Sequence, residues 1–140
     1  MAERRATEQS RILIVDDDAQ ARELLVEALT KRGYCVQSAH DGEMAWSSLN
    51  AGPCYDLVIT DLNMPMMDGL QLLQMIRERL LPVEVILWTA SSRYGLTTRA
   101  QALKAAAVLT KGDGLGKLLQ SVELALTARY RKEANEDESD

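Results

Sequence analysis

Five polar residues fall where short apolar runs stop. Asp16 and Asp17 follow Ile12-Leu13-Ile14-Val15, Asp61 follows Leu57-Val58-Ile59-Thr60, Thr89 follows Val83 to Trp88, and Lys111 follows Ala107 to Thr110. Carboxylates crowded at one rim repel one another, and a hard divalent cation relieves this by taking oxygen ligands. A few carboxylates with waters and a phosphate suit the octahedral habit of Mg²⁺, and the chain has no EF-hand loop that would favour Ca²⁺. With the charge offset, one carboxylate is a nucleophile toward phosphorus and can form an aspartyl phosphate. The Thr89 hydroxyl would donate to a phosphoryl oxygen, and the Lys111 ammonium would supply the opposing charge.

That chemistry requires a fold that brings these segments to one edge. Arg11 to Val15 reads as a strand buried on both faces, and Ala21, Leu24, Leu25, Ala28 and Leu29 then repeat at helical spacing up to Gly33, a C-terminal cap. The pattern recurs: a strand over Tyr34 to Ser38, a helix over Asp41 to Asn50 closed by Gly52-Pro53, and a strand over Leu57 to Thr60. Asp68, with Gln71 three residues on, resembles a capping box opening a helix that turns Leu70, Leu73 and Ile76 inward. A strand over Val83 to Trp88, an Ala-rich helix over residues 93 to 106, a strand over Ala107 to Thr110 and an amphipathic helix through Leu115, Leu118, Leu119, Val122 and Leu126 complete five βα units. Such alternation argues for an α/β fold with a doubly wound parallel sheet, because each parallel connection needs a right-handed crossover. Sites in these sheets lie outside the carboxyl ends of the strands.

At 140 residues the chain is long enough for one domain with a substantial core. Its net charge is -5, and the final ten residues, Arg131 to Asp140, contribute five acids against two bases, so the remainder is close to neutral. No basic stripe indicates nucleic acid, and direct nucleic-acid binding is not expected. Cys35 and Cys54 form no CxxC and read as small apolar residues, buried or half-buried, in a reducing compartment. With no apolar leader and no run of about eighteen apolar residues, the expectation is a cytoplasmic protein without membrane association. His40, the single histidine, reads as a surface residue, so neither a His-based metal cluster nor a Ser-His-Asp triad is expected. Met64, Met66 and Met67 are expected to pack their loop. Trp88 reads as core, placed beside Thr89 as a fluorescence reporter. Asp18, Asp56 and Asp68 read as turn formers or helix caps. The domain is expected over residues 11–130, after a flexible segment over 1–10 and before an acidic, disordered tail over 131–140.

The Asp16-Asp17 pair, Asp61 within Asp-Leu-Asn-Met-Pro-Met-Met-Asp-Gly, Thr89 followed by Ala90, and Lys111, taken in this order, resemble the receiver domain of two-component response regulators. The resemblance covers roughly residues 11 to 130 and implies the flavodoxin-like (βα)5 sheet with strand order 2-1-3-4-5, the order given for this family as a worked example of doubly wound folds. It also implies that Asp61 accepts a phosphoryl group from a histidine kinase or phosphotransfer protein. Asp16, Asp17, Asp61 and the backbone carbonyl of Asn63 would be the Mg²⁺ site, with Asp16 acting largely through bound water. Thr89 and Lys111 would bind the phosphoryl group and couple it to the face formed by the fourth helix, fifth strand and fifth helix. That face would meet a downstream protein, or a second copy in a homodimer formed on phosphorylation. Asn63 and Ser91 stand where the family tunes the lifetime of the phosphoryl group.

Two positions depart from the family. Gly112 follows Lys111 where a proline, often preceded by a cis peptide, is usual; a trans peptide is expected here, because a non-proline cis bond costs about 2.5 to 4 kcal/mol. With Gly112, Gly114 and Gly116 the following loop is expected to be unusually mobile. Val108 stands where an aromatic readout residue is common, which shifts the expected readout to backbone movement or another surface.

The leading expectation is therefore a switch that catalyses only its own phosphorylation and dephosphorylation. With too little chain after residue 130 for an output domain, it would be a single-domain regulator, a relay intermediate or a fragment. The alternative is a receiver-like interaction module that works without phosphorylation. A Mg²⁺-dependent phosphohydrolase is disfavoured, because Asn63 stands where a general acid two residues after Asp61 would be needed.

Overall fold

The computed structural model describes residues 9–52, 54–90 and 95–138. The strands are β1 Arg11–Val15, β2 Cys35–Ala39, β3 Leu57–Thr60, β4 Glu84–Thr89 and β5 Ala107–Thr110. The helices are α1 Ala19–Lys31, α2 Gly42–Ala51, α3 Gly69–Glu78, α4 Leu96–Ala102 and α5 Leu115–Glu138. All strand pairs are parallel, in the order β2-β1-β3-β4-β5. The expected architecture is thus observed, and β3 lies at the centre of the sheet between β1 and β4.

Successive strand side chains point to opposite faces, so one strand feeds two cores. Leu13, Val15, Val58, Val85 and Leu87 pack with Leu72, Leu73 and Ile76 of α3 and with Leu96 and Ala100 of α4. Ile12, Ile14, Leu57, Ile59, Ile86 and Trp88 pack with Leu25 and Leu29 of α1 and Leu118, Val122 and Leu126 of α5. Burying each such aliphatic side chain stabilises the fold by about 1.5–3 kcal/mol relative to exposure, which holds β3 rigidly up to Thr60.

Local sequence signals set the element ends. The Asp18 carboxylate accepts from the Gln20 amide at the start of α1, and Asp41 accepts from Met44 at the start of α2. Asp68 and Gln71 form the expected reciprocal capping box, at 2.8 and 2.9 Å. Gly33 has φ 94, as a glycine following a helix end adopts.

Several expectations are corrected. The predicted 93–106 helix is limited to Leu96–Ala102 among the described residues. Lys104 turns at φ 59, and the Arg77 guanidinium captures the carbonyls of Leu103 and Lys104, taking acceptors a continuing helix would need. The tail is not disordered from Arg131: α5 continues to Glu138. Lys, Arg, Glu and Ala are good helix formers, and Arg129 pairs with Glu133 one turn on, which carries the helix past the last core contact. Cys35 and Cys54 are exposed, because Cys35 begins the edge strand β2 and Cys54 lies in the approach to β3. Met64 and Met67 pack as expected, but Met66, at φ 71, is 89% exposed. Ser91 and residues 1–8 of the expected flexible segment lie outside the described residues. Among the described residues, no helix is long and apolar enough to cross a membrane.

Candidate functional site

β1 and β3 are adjacent and in register, Val15 opposite Thr60, so the residues that follow them emerge side by side. The Asp61 amide donates to the Val15 carbonyl at 2.9 Å, extending the pairing one step beyond the strands. This places Asp61 against Asp16 and Asp17, and one carboxylate oxygen from each of the three lies within 4.8 Å of the others. Asp16 and Asp61 are buried, while Asp17 is exposed. Three hard oxygen donors converging from two chain segments match the donor set of a hard divalent cation.

The cluster is framed by the backbone. Asp16 accepts from the Asp18 amide at 2.9 Å, and its carbonyl accepts from Arg22 Nη1 at 2.7 Å. The Thr60 hydroxyl donates to the Asp61 carbonyl at 2.9 Å, and the Gly69 amide closes the loop on the Leu62 carbonyl at 2.9 Å. A Cβ at Gly69 would lie 2.3 Å from the Asp61 carbonyl oxygen, so only glycine lets α3 begin this close to Asp61. The sequence reading missed Arg22 and Gly69 as supports; the Asp68-Gly69 pair at a helix start was the signal for the second.

Lys111 reaches the cluster from the end of β5, two strands away from β3. Its Nζ donates to Asp16 Oδ2 at 2.7 Å and to Asp61 Oδ2 at 3.4 Å, and it lies 5.5 Å from the centre of the Trp88 ring. Burial pushes the Asp61 carboxyl above its ordinary value; the Lys111 charge opposes this and the neighbouring Asp16 adds to it. Burial alone would lower the Lys111 ammonium, but its hydrogen bond and charge pairing with Asp16, reinforced by Asp61, outweigh burial and raise it. The ammonium therefore stays charged, and Asp61 is a poorly hydrated carboxylate facing a cation.

Thr89 is fully buried at the end of β4, the strand between Asp61 and Lys111. Asn63 is exposed in the loop two residues after Asp61. The Lys111–Gly112 peptide is trans, as expected. The loop after it is not a string of free glycines: Lys111–Asp113 forms a single 3₁₀ turn in which Thr110 Oγ1 donates to Asp113 Oδ2 at 2.7 Å. Val108 is partly buried and packs against the α3–α4 core, an aliphatic filler on the β5 surface. His40 is exposed, 3.2 Å from Asp41. Asp56 is more than a turn former: it accepts from the Arg11 amide at 2.8 Å and from Arg129 Nε at 3.3 Å, tying β1 to α5 at the opposite end of the sheet.

The family model for the response regulator receiver domain matches residues 12–123. The chain is 37% identical over 124 residues to the probable chemotaxis protein CheY of Rhizobium etli, a match covering 86% of this chain and 95% of that one. It is 34% identical over 118 residues to the response regulator receiver protein CpdR of Brucella abortus, covering 84% and 98%. Among solved structures, the response regulator TrrA of Thermotoga maritima, in complex with Mg(2+)-BeF, has a TM-score of 0.75 at 36% identity over 84% of this chain and 99% of that one.

Proposed function

The chain belongs to the response regulator receiver domain family, and on that premise we propose that Asp61 accepts a phosphoryl group from the phosphohistidine of a kinase or phosphotransfer protein. The observation that carries this reading is the Asp61 carboxylate at the end of the central strand, clustered with the carboxylates of Asp16 and Asp17 and 3.4 Å from the Lys111 ammonium. An Asp61 oxygen attacks phosphorus as the P–N bond to imidazole breaks. The imidazole nitrogen leaves with the bonding pair and takes a proton, and an aspartyl phosphate results.

Asp16, Asp17, Asp61 and the Asn63 backbone carbonyl would hold Mg²⁺, which when bound offsets the carboxylate charges and those of the phosphoryl oxygens. Lys111 supplies the opposing point charge, and the Thr89 hydroxyl donates to a phosphoryl oxygen. New phosphoryl oxygens compete with Asp16 for the ammonium, and any shift of Lys111 is felt in β5. The switched surface is then α4, β5 and α5, where Leu124 is 65% exposed. A downstream protein, or a second copy of the chain, would read it. The chemistry is confined to formation and hydrolysis of this one adduct, without turnover of a diffusible substrate.

Incubation with acetyl phosphate and Mg²⁺ tests this. The wild-type chain is expected to gain one acid-labile phosphoryl group and Asp61→Asn none. No adduct on the wild type would favour an interaction module that works without phosphorylation, and multiple turnover on a small phosphate ester would favour a phosphohydrolase.

A further inference from the structure

Lys111 lacks a proline after it, and its peptide is trans, so backbone geometry alone does not aim the side chain. A Cβ on Gly112 would meet nothing within 4 Å, so the residue after Lys111 offers no side-chain packing that would help to aim it. Yet the Lys111 side chain is only 20% exposed and is held on three sides: by Asp16 at 2.7 Å, by Asp61 at 3.4 Å and by the face of Trp88 at 5.5 Å from the ring centre. Asp61 is the group that is modified in the reaction, and Asp16 is the one that would share its charge with Mg²⁺; the ring is the contact that neither event alters.

We propose that Trp88 is a positioning residue for Lys111, holding the ammonium over its ring face and so aiming it at the phosphoryl group on Asp61. This rests on the phosphoacceptor reading of Asp61. Trp88 sits at the end of β4, opposite Leu109 of β5 and one residue before Thr89, and its ring is buried in the core on the α1–α5 face of the sheet, on the same strand that delivers the hydroxyl. Indole is the strongest of the side-chain rings for cation–π attraction, and a separation within about 6 Å is effective. Trp88 Nε1 is buried without a hydrogen-bond partner. Burying an unpaired N–H is unfavourable, and an aliphatic side chain would pack the same core without that penalty. What indole adds at this place is the face that Lys111 occupies.

The mechanistic consequence concerns exchange of partners. When the phosphoryl oxygens arrive, the ammonium must leave or share Asp16. A ring beneath it keeps the ammonium within reach of both positions, whereas a lysine without that support would extend toward solvent and have to be recaptured. Trp88 thereby links the cation to the same strand that carries Thr89.

The experiment uses the full chain with Trp46→Phe, so that Trp88 is the single tryptophan, and follows acid-labile adduct formation from acetyl phosphate with Mg²⁺. Trp88→Leu is expected to lower the maximal rate by roughly 3- to 30-fold, the range of a cation–π contact, with little change in the half-saturating acetyl phosphate concentration. Trp88→Phe, which keeps a ring face, recovers most of that loss. In a Lys111→Met background the same Trp88→Leu change has no further effect, and Lys111→Met alone shifts Trp88 emission, a readout that survives if Trp88→Leu does not fold. A normal rate for folded Trp88→Leu, an equal loss in the Lys111→Met background, or unchanged emission in Lys111→Met overturns the inference while leaving the acceptor intact. No adduct on the Trp46→Phe chain and none on the wild type overturns the phosphoacceptor reading, and this inference with it.

Discussion

The Lys111 ammonium lies closer to Asp16 than to Asp61: Nζ is 2.7 Å from Asp16 Oδ2 and 3.4 Å from Asp61 Oδ2. Asp16 is the more deeply buried carboxylate, 2% exposed against 9%, and so has more to gain from a direct charge-assisted bond. The same ammonium thus stabilises the metal-free cluster and is available to the phosphoryl group.

Lys111→Met leaves Asp16 and Asp61 buried without their cation. Stability in metal-free buffer is expected to fall by about 2 kcal/mol, the range for losing hydrogen bonds to charged groups. Urea unfolding with and without Mg²⁺ checks this: the deficit shrinks when a divalent cation takes over the neutralisation, and an equal deficit in both buffers contradicts the assignment.

Asp61→Asn is expected to stabilise the metal-free chain, raising Tm by a few degrees at neutral pH. Because folding raises the Asp61 carboxyl above its ordinary value, the native state binds more protons than the unfolded state across that interval. This contribution therefore favours the fold at low pH and is lost as pH rises through the raised value. Thermal unfolding of both chains over a pH series should show the advantage of Asp61→Asn growing with pH through that window; a constant or shrinking gap refutes it.

Gly69→Ala forces a Cβ to within 2.3 Å of the Asp61 carbonyl oxygen, and the obstructing atom is backbone. The expected loss is about 1–3 kcal/mol, typical of overpacking, together with slower adduct formation as Asp61 moves. Urea midpoints and acetyl phosphate kinetics measure the two effects, and a wild-type value for both would show that the α3 start shifts freely.

Arg129 is 15% exposed at its side chain and reaches both Asp56 and Glu133. Arg129→Ala is expected to destabilise by about 1–2 kcal/mol, since it removes a charge-assisted bond and packing from a shielded site. Glu133→Ala touches only the exposed pair and should change stability by less than about 0.5 kcal/mol. Equal effects in denaturant titrations would mean that Asp56 does not anchor α5.

The 3₁₀ turn after Lys111 depends on Asp113, whose carboxyl is held below its ordinary value by the Thr110 hydroxyl and then by Lys117. The clasp is present when Asp113 is charged and weakens as pH falls through that lowered value. Thr110→Val is expected to speed amide exchange at Gly114, which donates to the Lys111 carbonyl at 3.2 Å. Unchanged exchange would assign the order of this turn to its backbone alone.

The alternation of apolar runs and helical repeats determined the five βα units, and the residues ending those runs determined which side chains meet at the rim. The Asp68–Gln71 capping box was legible for the same reason, because all of its partners lie within one turn. The end of α4 was not, since Arg77, 26 and 27 residues away, captures the carbonyls of Leu103 and Lys104 just past it. Nor was the helical continuation past Arg131, where local helix propensity and the Arg129–Glu133 pair outweigh net acidity.

The sequence by itself marked the five βα units and put Asp16, Asp17, Asp61, Thr89 and Lys111 at strand ends, because strand periodicity and strand ends are local properties of the chain; the strand order and the naming of Asp61 as acceptor candidate came with the resemblance to receiver domains. Only the tertiary structure decided that Lys111 leans on Asp16, that Trp88 lies beneath it, and that Gly69 admits α3 against Asp61. Each of these is a distance between atoms on separate elements, fixed by how the sheet and helices pack and not by anything the intervening residues encode.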